Sequence, residues 1–181
     1  WFNFCRELCA MFMDEHDEKI GGVGKVVEID KAKFGKRKYN RGRRREGQWV
    51  LRGVERGSDK VFMQIVPSRD AATLLPIILA NVEPGTEIHT DEWKSYARLN
   101  RRGFQHRSVN HTIQFVNPLN GAHTQSIECT WAHAKKKYKR MHGTSKALFR
   151  TYLIEFMWCK KFGKDTQFTM FMNCITAVYP L

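Results

Sequence analysis

The stretch 25-KVVEIDKAKFG-35 decides how this chain is read. Val26, Val27 and Ile29 are β-branched residues in a short run, the pattern of a strand buried on at least one face. Asp30 ends that run, and Glu28, two residues earlier, shares its face of an extended chain. A carboxylate at the end of a buried strand is costly unless it is paired, and a divalent metal is one such partner. An Asp that begins a turn is the plain alternative, and residues further along the chain decide between them.

Asp91 stands at the end of another short strand, 87-EIHTD-91. Glu128 falls in a long helical pattern from Thr124 to about Met141, at one edge of the apolar stripe Ile127, Trp131, Ala134, Tyr138 and Met141. Two strand-end aspartates and a glutamate from a packing helix suit a two-metal phosphoryl-transfer site, which needs hard anionic oxygens and open positions for phosphate and water. On the same helix Lys135 and Lys139 lie within about 20° of Glu128 around the axis. That is a ladder of cations suited to DNA phosphates leading to the metals. A solvated lysine face is the structural alternative.

The charge balance points the same way. The 181 residues hold 31 Lys and Arg against 18 Asp and Glu, a net charge of +13, which favours a polyanionic partner such as nucleic acid. Seven of the cations crowd the loop 35-GKRKYNRGRRREG-47: Lys36, Arg37, Lys38, Arg41, Arg43, Arg44 and Arg45. DNA backbone contact, a nuclear-localisation signal and a solvated loop are the three readings of that run. No apolar run approaches the ~18 residues needed to span a bilayer, and no membrane is expected as a partner. Five cysteines without a CxxC pair are expected to be reduced and intracellular. The first residue is Trp, so the chain is read as part of a longer polypeptide with any separate DNA-reading module upstream.

The remaining elements follow from pattern. A helix is expected from the N-terminus to near Asp17, then a Gly-rich turn at 21-GGVG-24. The runs 48–55 and 61–67 form a hairpin. A helix over 70–82 contains Pro76, which is tolerated in a first turn and moves the expected start to near Thr73. Residues 92–99 read as helix, 104–110 as a strand, and 145–161 and 166–181 as two further helices. The class is α/β, a mixed central sheet flanked by helices. Residues 1–24 are assigned to an N-terminal helix and linker, the tail of a missing upstream region, 25–163 to the catalytic domain and 164–181 to a C-terminal helix packed on it.

Four segments carry a resemblance: 27-VEIDKAKFGKRKYNRGRRREGQWVLRGVERGS-58, 85-GTEIHTDEWKSY-96, 109-VNHTIQFVNPLNGAHTQSIECTW-131 and 152-YLIEFMWCKKF-162. In order and spacing they resemble the Merlin-type DDE transposases of eukaryotes and their bacterial insertion-sequence (ISXO-like) relatives. The likeness runs over nearly the whole chain. It implies an RNase H-like fold, an Asp30, Asp91 and Glu128 triad holding two Mg²⁺ or Mn²⁺, cleavage at terminal inverted repeats, and 3′-OH strand transfer into target DNA. It further implies a homodimer or larger assembly in a synaptic complex and a nuclear location. Tyr39 and Asn40 resemble the family pattern and favour DNA contact by the basic loop.

The family often carries an acidic residue after its first Asp, where this chain has Lys31. Strand alternation sends that ammonium to the opposite face from Asp30. His123 and Gln125 are candidates to touch the scissile phosphate or orient a water, against a helix-start histidine with no chemical part. Trp93 and Trp131 read as core anchors. Cys129 and His133 share a helical face but have no second ligand pair at zinc spacing. Relaxase chemistry lacks its paired histidines, and no tyrosine has the setting of a recombinase nucleophile. A transposase-derived DNA-binding protein without cutting activity is the alternative function, and an RNase H-type nuclease without strand transfer a third.

Overall fold

The computed structural model describes residues 1–16, 18–35, 47–110 and 116–180. The basic loop cations 36–45 and Asp17 lie outside the described residues. Helix α1 spans Phe2–Glu15, and the short strand β1, Ile20–Gly21, pairs with β5, Val82–Glu83, in a small parallel ribbon. The main sheet holds β2 (Val26–Phe34), β3 (Gln48–Glu55), β4 (Val61–Val66), β6 (Glu87–Asp91) and β7 (Gln105–Val109) in the order β4-β3-β2-β6-β7. Strand β3 is antiparallel to both β2 and β4, whereas β2, β6 and β7 run parallel. A three-strand meander that continues into parallel strands is the RNase H-like arrangement that the resemblance implied.

Strand β2 is the middle of the sheet and sorts its side chains to two layers. Val27 and Ile29 enter one core with Leu51, Leu74, Ile78 and Tyr96, under helix α2 (Ala71–Asn81). Ala32 and Phe34 enter the other with Val50, Ile127 and Trp131, under α3 (Gln125–Arg140) and α4 (Lys146–Lys161). Glu28 and Asp30 belong to this second face by the period of two. Gly53, opposite Ile29, leaves room for the Phe62 ring, which a Cβ there would strike. Helix α5 (Gln167–Val178) and α1 pack together, with Phe4 stacked on Tyr179.

Two expected elements differ. Helix α2 starts at Ala71, because Asp70 caps it by accepting the Thr73 N–H at 2.7 Å. Pro76 therefore lies inside the helix, on its exposed side. Residues 92–99 form no α-helix: two 3₁₀ turns, Lys94–Tyr96 and Leu99–Arg102, take that place. Asp91 draws the chain back by accepting the Trp93 N–H, which tightens this connection. No helix among the described residues is long and apolar enough to cross a membrane.

Between the layers sits Arg52, fully buried, opposite Asp30 in the β2–β3 register. Its guanidinium lies 5.3 Å from the Trp131 ring and 5.1 Å from that of Phe156. Among the described residues none of its three nitrogens has a hydrogen-bond partner, and burial pushes its pKa down to about 9.

Candidate active site

The parallel pairing of β2 with β6 sets Glu28 beside His89, and two residues further on each strand stand Asp30 and Asp91. Asp30 Oδ2 accepts the Trp131 indole N–H at 2.9 Å, so the strand and α3 are joined by the carboxylate itself. Burial raises the Asp30 pKa, and the nearby Asp91 charge raises it further. The Lys31 backbone N–H, the Lys31 ammonium and the Trp131 donor oppose that shift without cancelling it.

Asp91 is the last residue of β6, with its side chain 30% exposed. Oδ1 accepts the Trp93 N–H at 3.2 Å, and Lys31 Nζ stands 2.6 Å from Oδ2. Alternation therefore does not keep Lys31 away from the acids. Its ammonium lies over the rings of Trp93 and Tyr96 and reaches Asp91 where β6 stops. Only 5% of the Lys31 side chain is exposed.

Glu128 lies in the first turn of α3 and is exposed. Among the described residues no three acidic, His or Cys side chains converge closely enough to hold an ion. The charge of Asp91 acts on Asp30, whereas Glu128 forms no ion-holding group with them. Lys135 is half-buried on α3, 5.5 Å from both the Phe34 and Trp131 rings, and feels the charges of Asp30 and Lys139. Burial lowers its pKa. Lys139 is exposed one turn on. Of the two lysines of the expected ladder, Lys135 is the one whose charge interacts with that of Asp30.

Glu28 has a larger part than its place as a flanking residue suggested. It is fully buried, and Oε1 accepts from Arg56 Nε at 3.0 Å and Nη2 at 2.9 Å, while Oε2 accepts the Ile127 N–H at 2.9 Å. His123 is drawn into this cluster, with Nδ1 3.5 Å from Glu28 and 3.3 Å from Arg56. Burial and the Arg56 charge lower its pKa against the pull of Glu28. His89 Nδ1 accepts the His123 N–H at 3.3 Å, which leaves Nε2 as the donor to Glu87 at 2.7 Å. Gln125 opens α3 and is exposed. Arg56, missed in the sequence, gave no local signal there; Glu28 gave one, its shared face with Asp30.

Trp131 is buried as expected of an anchor, but Trp93 is 39% exposed and is not one. Cys129 and His133 are both exposed.

The profile of one protein family, the ISXO2-like transposase domain, matches residues 19–160. A relative from Haemophilus influenzae, an uncharacterized transposase-like protein, is 36% identical over 99 residues, 55% of this chain and 79% of the relative. Among solved structures, the catalytic core domain of BIV integrase is similar at a TM-score of 0.48 and 16% identity, covering 85% of this chain and 97% of that one. A chain of the simian T-cell lymphotropic virus intasome in complex with PP2A regulatory subunit B56 gamma is similar at a TM-score of 0.49 and 14% identity, over 80% of this chain. This chain spans half the length of that intasome chain. The family match runs from just before β1 to the last turn of α4 and takes in both aspartates and Glu128: the chain belongs to the ISXO2-like transposase domain family.

Proposed function

We propose that this chain is the catalytic domain of a DDE transposase, which cuts DNA at the ends of a mobile element and joins the 3′-OH ends to target DNA. The observation that supports it most is the adjacency of Asp30 and Asp91 on neighbouring parallel strands, close enough for one charge to raise the other's pKa. Their carboxylates are the hard oxygen donors that Mg²⁺ and Mn²⁺ take, and Asp30, Asp91 and Glu128 together would hold two such ions. When bound, the ions lower the pKa of an attacking water or 3′-hydroxyl and offset charge at the leaving oxygen. Assembly of the triad requires Glu128 to turn inward and Lys31 to release Asp91.

The chain's own residues supply the rest. Trp131 fixes the orientation of Asp30 through its indole N–H. Lys135 and Lys139, with the 36–45 loop, take DNA phosphates along the path to the aspartates. The catalytic unit is placed at 25–163, with 1–24 leading into it and the helix of 164–181 packed on it. The partners are the element's terminal inverted repeats and target DNA, held by a homodimer or larger synaptic assembly. The proposal includes the Merlin-type branch and a nuclear place of action, which imaging of the tagged full-length chain in its own cells tests.

One observation favours the second reading, a transposase-derived DNA-binding protein that does not cut. The Lys31 ammonium already neutralises Asp91. Calorimetric titration with Mn²⁺ decides between the two. Saturable binding by the wild type that weakens in both Asp91→Asn and Glu128→Gln supports the catalytic site. Variants that bind like the wild type, or no binding even with DNA present, overturn it and leave the DNA-binding reading.

A further inference from the structure

On the face of the sheet opposite Asp30, cations and aromatic rings alternate in one continuous row that ends at Asp91. Lys33 Nζ lies 5.7 Å from the centre of the Trp49 ring, and the Arg69 guanidinium 4.2 Å from the same ring. Arg69 also stands 4.7 Å from the Trp93 ring, and Lys31 Nζ 5.0 Å from Trp93 and 5.1 Å from Tyr96. Tyr96 belongs to the core, whereas Trp93 keeps 39% of its surface open and Trp49 and Arg69 are partly open.

The row is held in place before any ligand arrives. Trp93 Nε1 donates to the Arg69 carbonyl at 3.0 Å, and Ser95 Oγ donates to the same oxygen at 2.7 Å. The 67–70 connection is thereby fastened to the loop that follows Asp91. Acids in these loops are turned to other partners: Asp70 caps α2, and Glu92 accepts from Asn110 Nδ2 at 2.7 Å. What faces outward is the open part of Trp93, Trp49 and Arg69, with the Arg69 guanidinium over both rings, on a chain of net charge +13.

We infer that the Trp49–Arg69–Trp93 row is a stacking platform for the unpaired bases of a DNA single strand next to the Asp91 site. Flat aromatic faces accept any base, and interleaved cations take the phosphates between them, which is the physical recipe for sequence-tolerant single-strand binding. A duplex keeps its bases stacked inside and offers this row only its backbone. The inference rests on the reading of Asp91 as part of a strand-cutting site, because it supposes that strands open there. Binding itself needs no metal.

The test is fluorescence anisotropy of a labelled oligothymidine about twelve nucleotides long, and of the same strand in a duplex, both in EDTA. Trp93→Leu is expected to weaken single-strand binding about tenfold and duplex binding by less than about twofold, whereas Trp93→Phe keeps most of the affinity. Arg69→Gln is expected to lower the salt dependence of single-strand binding by about one phosphate contact. Equal losses on both DNAs, or no loss in Trp93→Leu with the fold intact by circular dichroism, overturn the platform. Because EDTA removes any role of the carboxylate site, an absent metal response in calorimetry and an absent stacking effect here are separate results.

Discussion

Glu28 Oε2 accepts the Ile127 N–H at 2.9 Å across 99 residues of sequence. One buried carboxylate thereby ties the strand of Asp30 to the first turn of the helix that bears Glu128. Its other oxygen is held by Arg56, so neither can be spared without leaving a buried group unpaired. Glu28→Ala is expected to lower stability by about 3 kcal/mol, the scale for breaking a buried pair by removing one partner. Glu28→Gln, which keeps an acceptor for Ile127, is expected to lose less. Urea denaturation reads both, and an unchanged midpoint in the alanine variant refutes the clamp.

Lys31 sets a second expectation. Its ammonium is the resting partner of Asp91, and an incoming divalent ion must displace it. Lys31→Met keeps an unbranched buried side chain but removes the charge. Mn²⁺ affinity is expected to rise about tenfold, equivalent to about 1.4 kcal/mol. Calorimetry on the two proteins checks this, and equal affinities count against Lys31 as a competitor.

Asp30 gives a pH dependence with a definite sign. Its folded pKa is raised, chiefly by burial, so between the unfolded and folded values the native state binds more protons and stability falls as pH rises. Asp30→Asn removes that cost. The variant is expected to melt above the wild type at pH 7, and the gap is expected to close as the pH falls below the ordinary aspartate range. Thermal melts in EDTA across that range test it; a gap independent of pH contradicts it.

Arg52 is a charge with two aromatic faces and, among the described residues, no hydrogen-bond acceptor. Cation–π contact offsets only part of the desolvation of a guanidinium. Arg52→Met, similar in reach and apolar, is expected to stabilise the fold by on the order of 2 kcal/mol, within the range found when buried ionic groups give way to hydrophobic ones. Loss of stability in urea would mean that the guanidinium has a partner of its own.

Much of this was legible in the chain. The β-branched run before Asp30, the alternation in 48–55 and 61–67, and the apolar stripe of α3 each obey a local period, and the sheet and helices follow from them. Trp131 and Lys135 were placed by the same helical geometry. What escaped depends on contacts between distant residues. Nothing near Arg56 announces that it will hold Glu28, and nothing near Lys31 announces that β6 ends in time for its ammonium to reach across. Trp93 misled because large aromatics are usually buried, whereas here Lys31 and Arg69 flank a ring left partly in solvent.

The alternation of β2 has an evolutionary consequence. Glu28 and Asp30 face α3, while Lys31 and Lys33 face the aromatic row, on one strand with Asp30 and Lys31 adjacent. Gain or loss of a single codon between Val26 and Glu28 would exchange the two sets, presenting ammonium groups to the helix and carboxylates to the tryptophans. Drift by substitution can erode either function of this strand separately. Drift by insertion or deletion would abolish both at once, so lineages that keep the fold are expected to vary in β2 by residue and never by length.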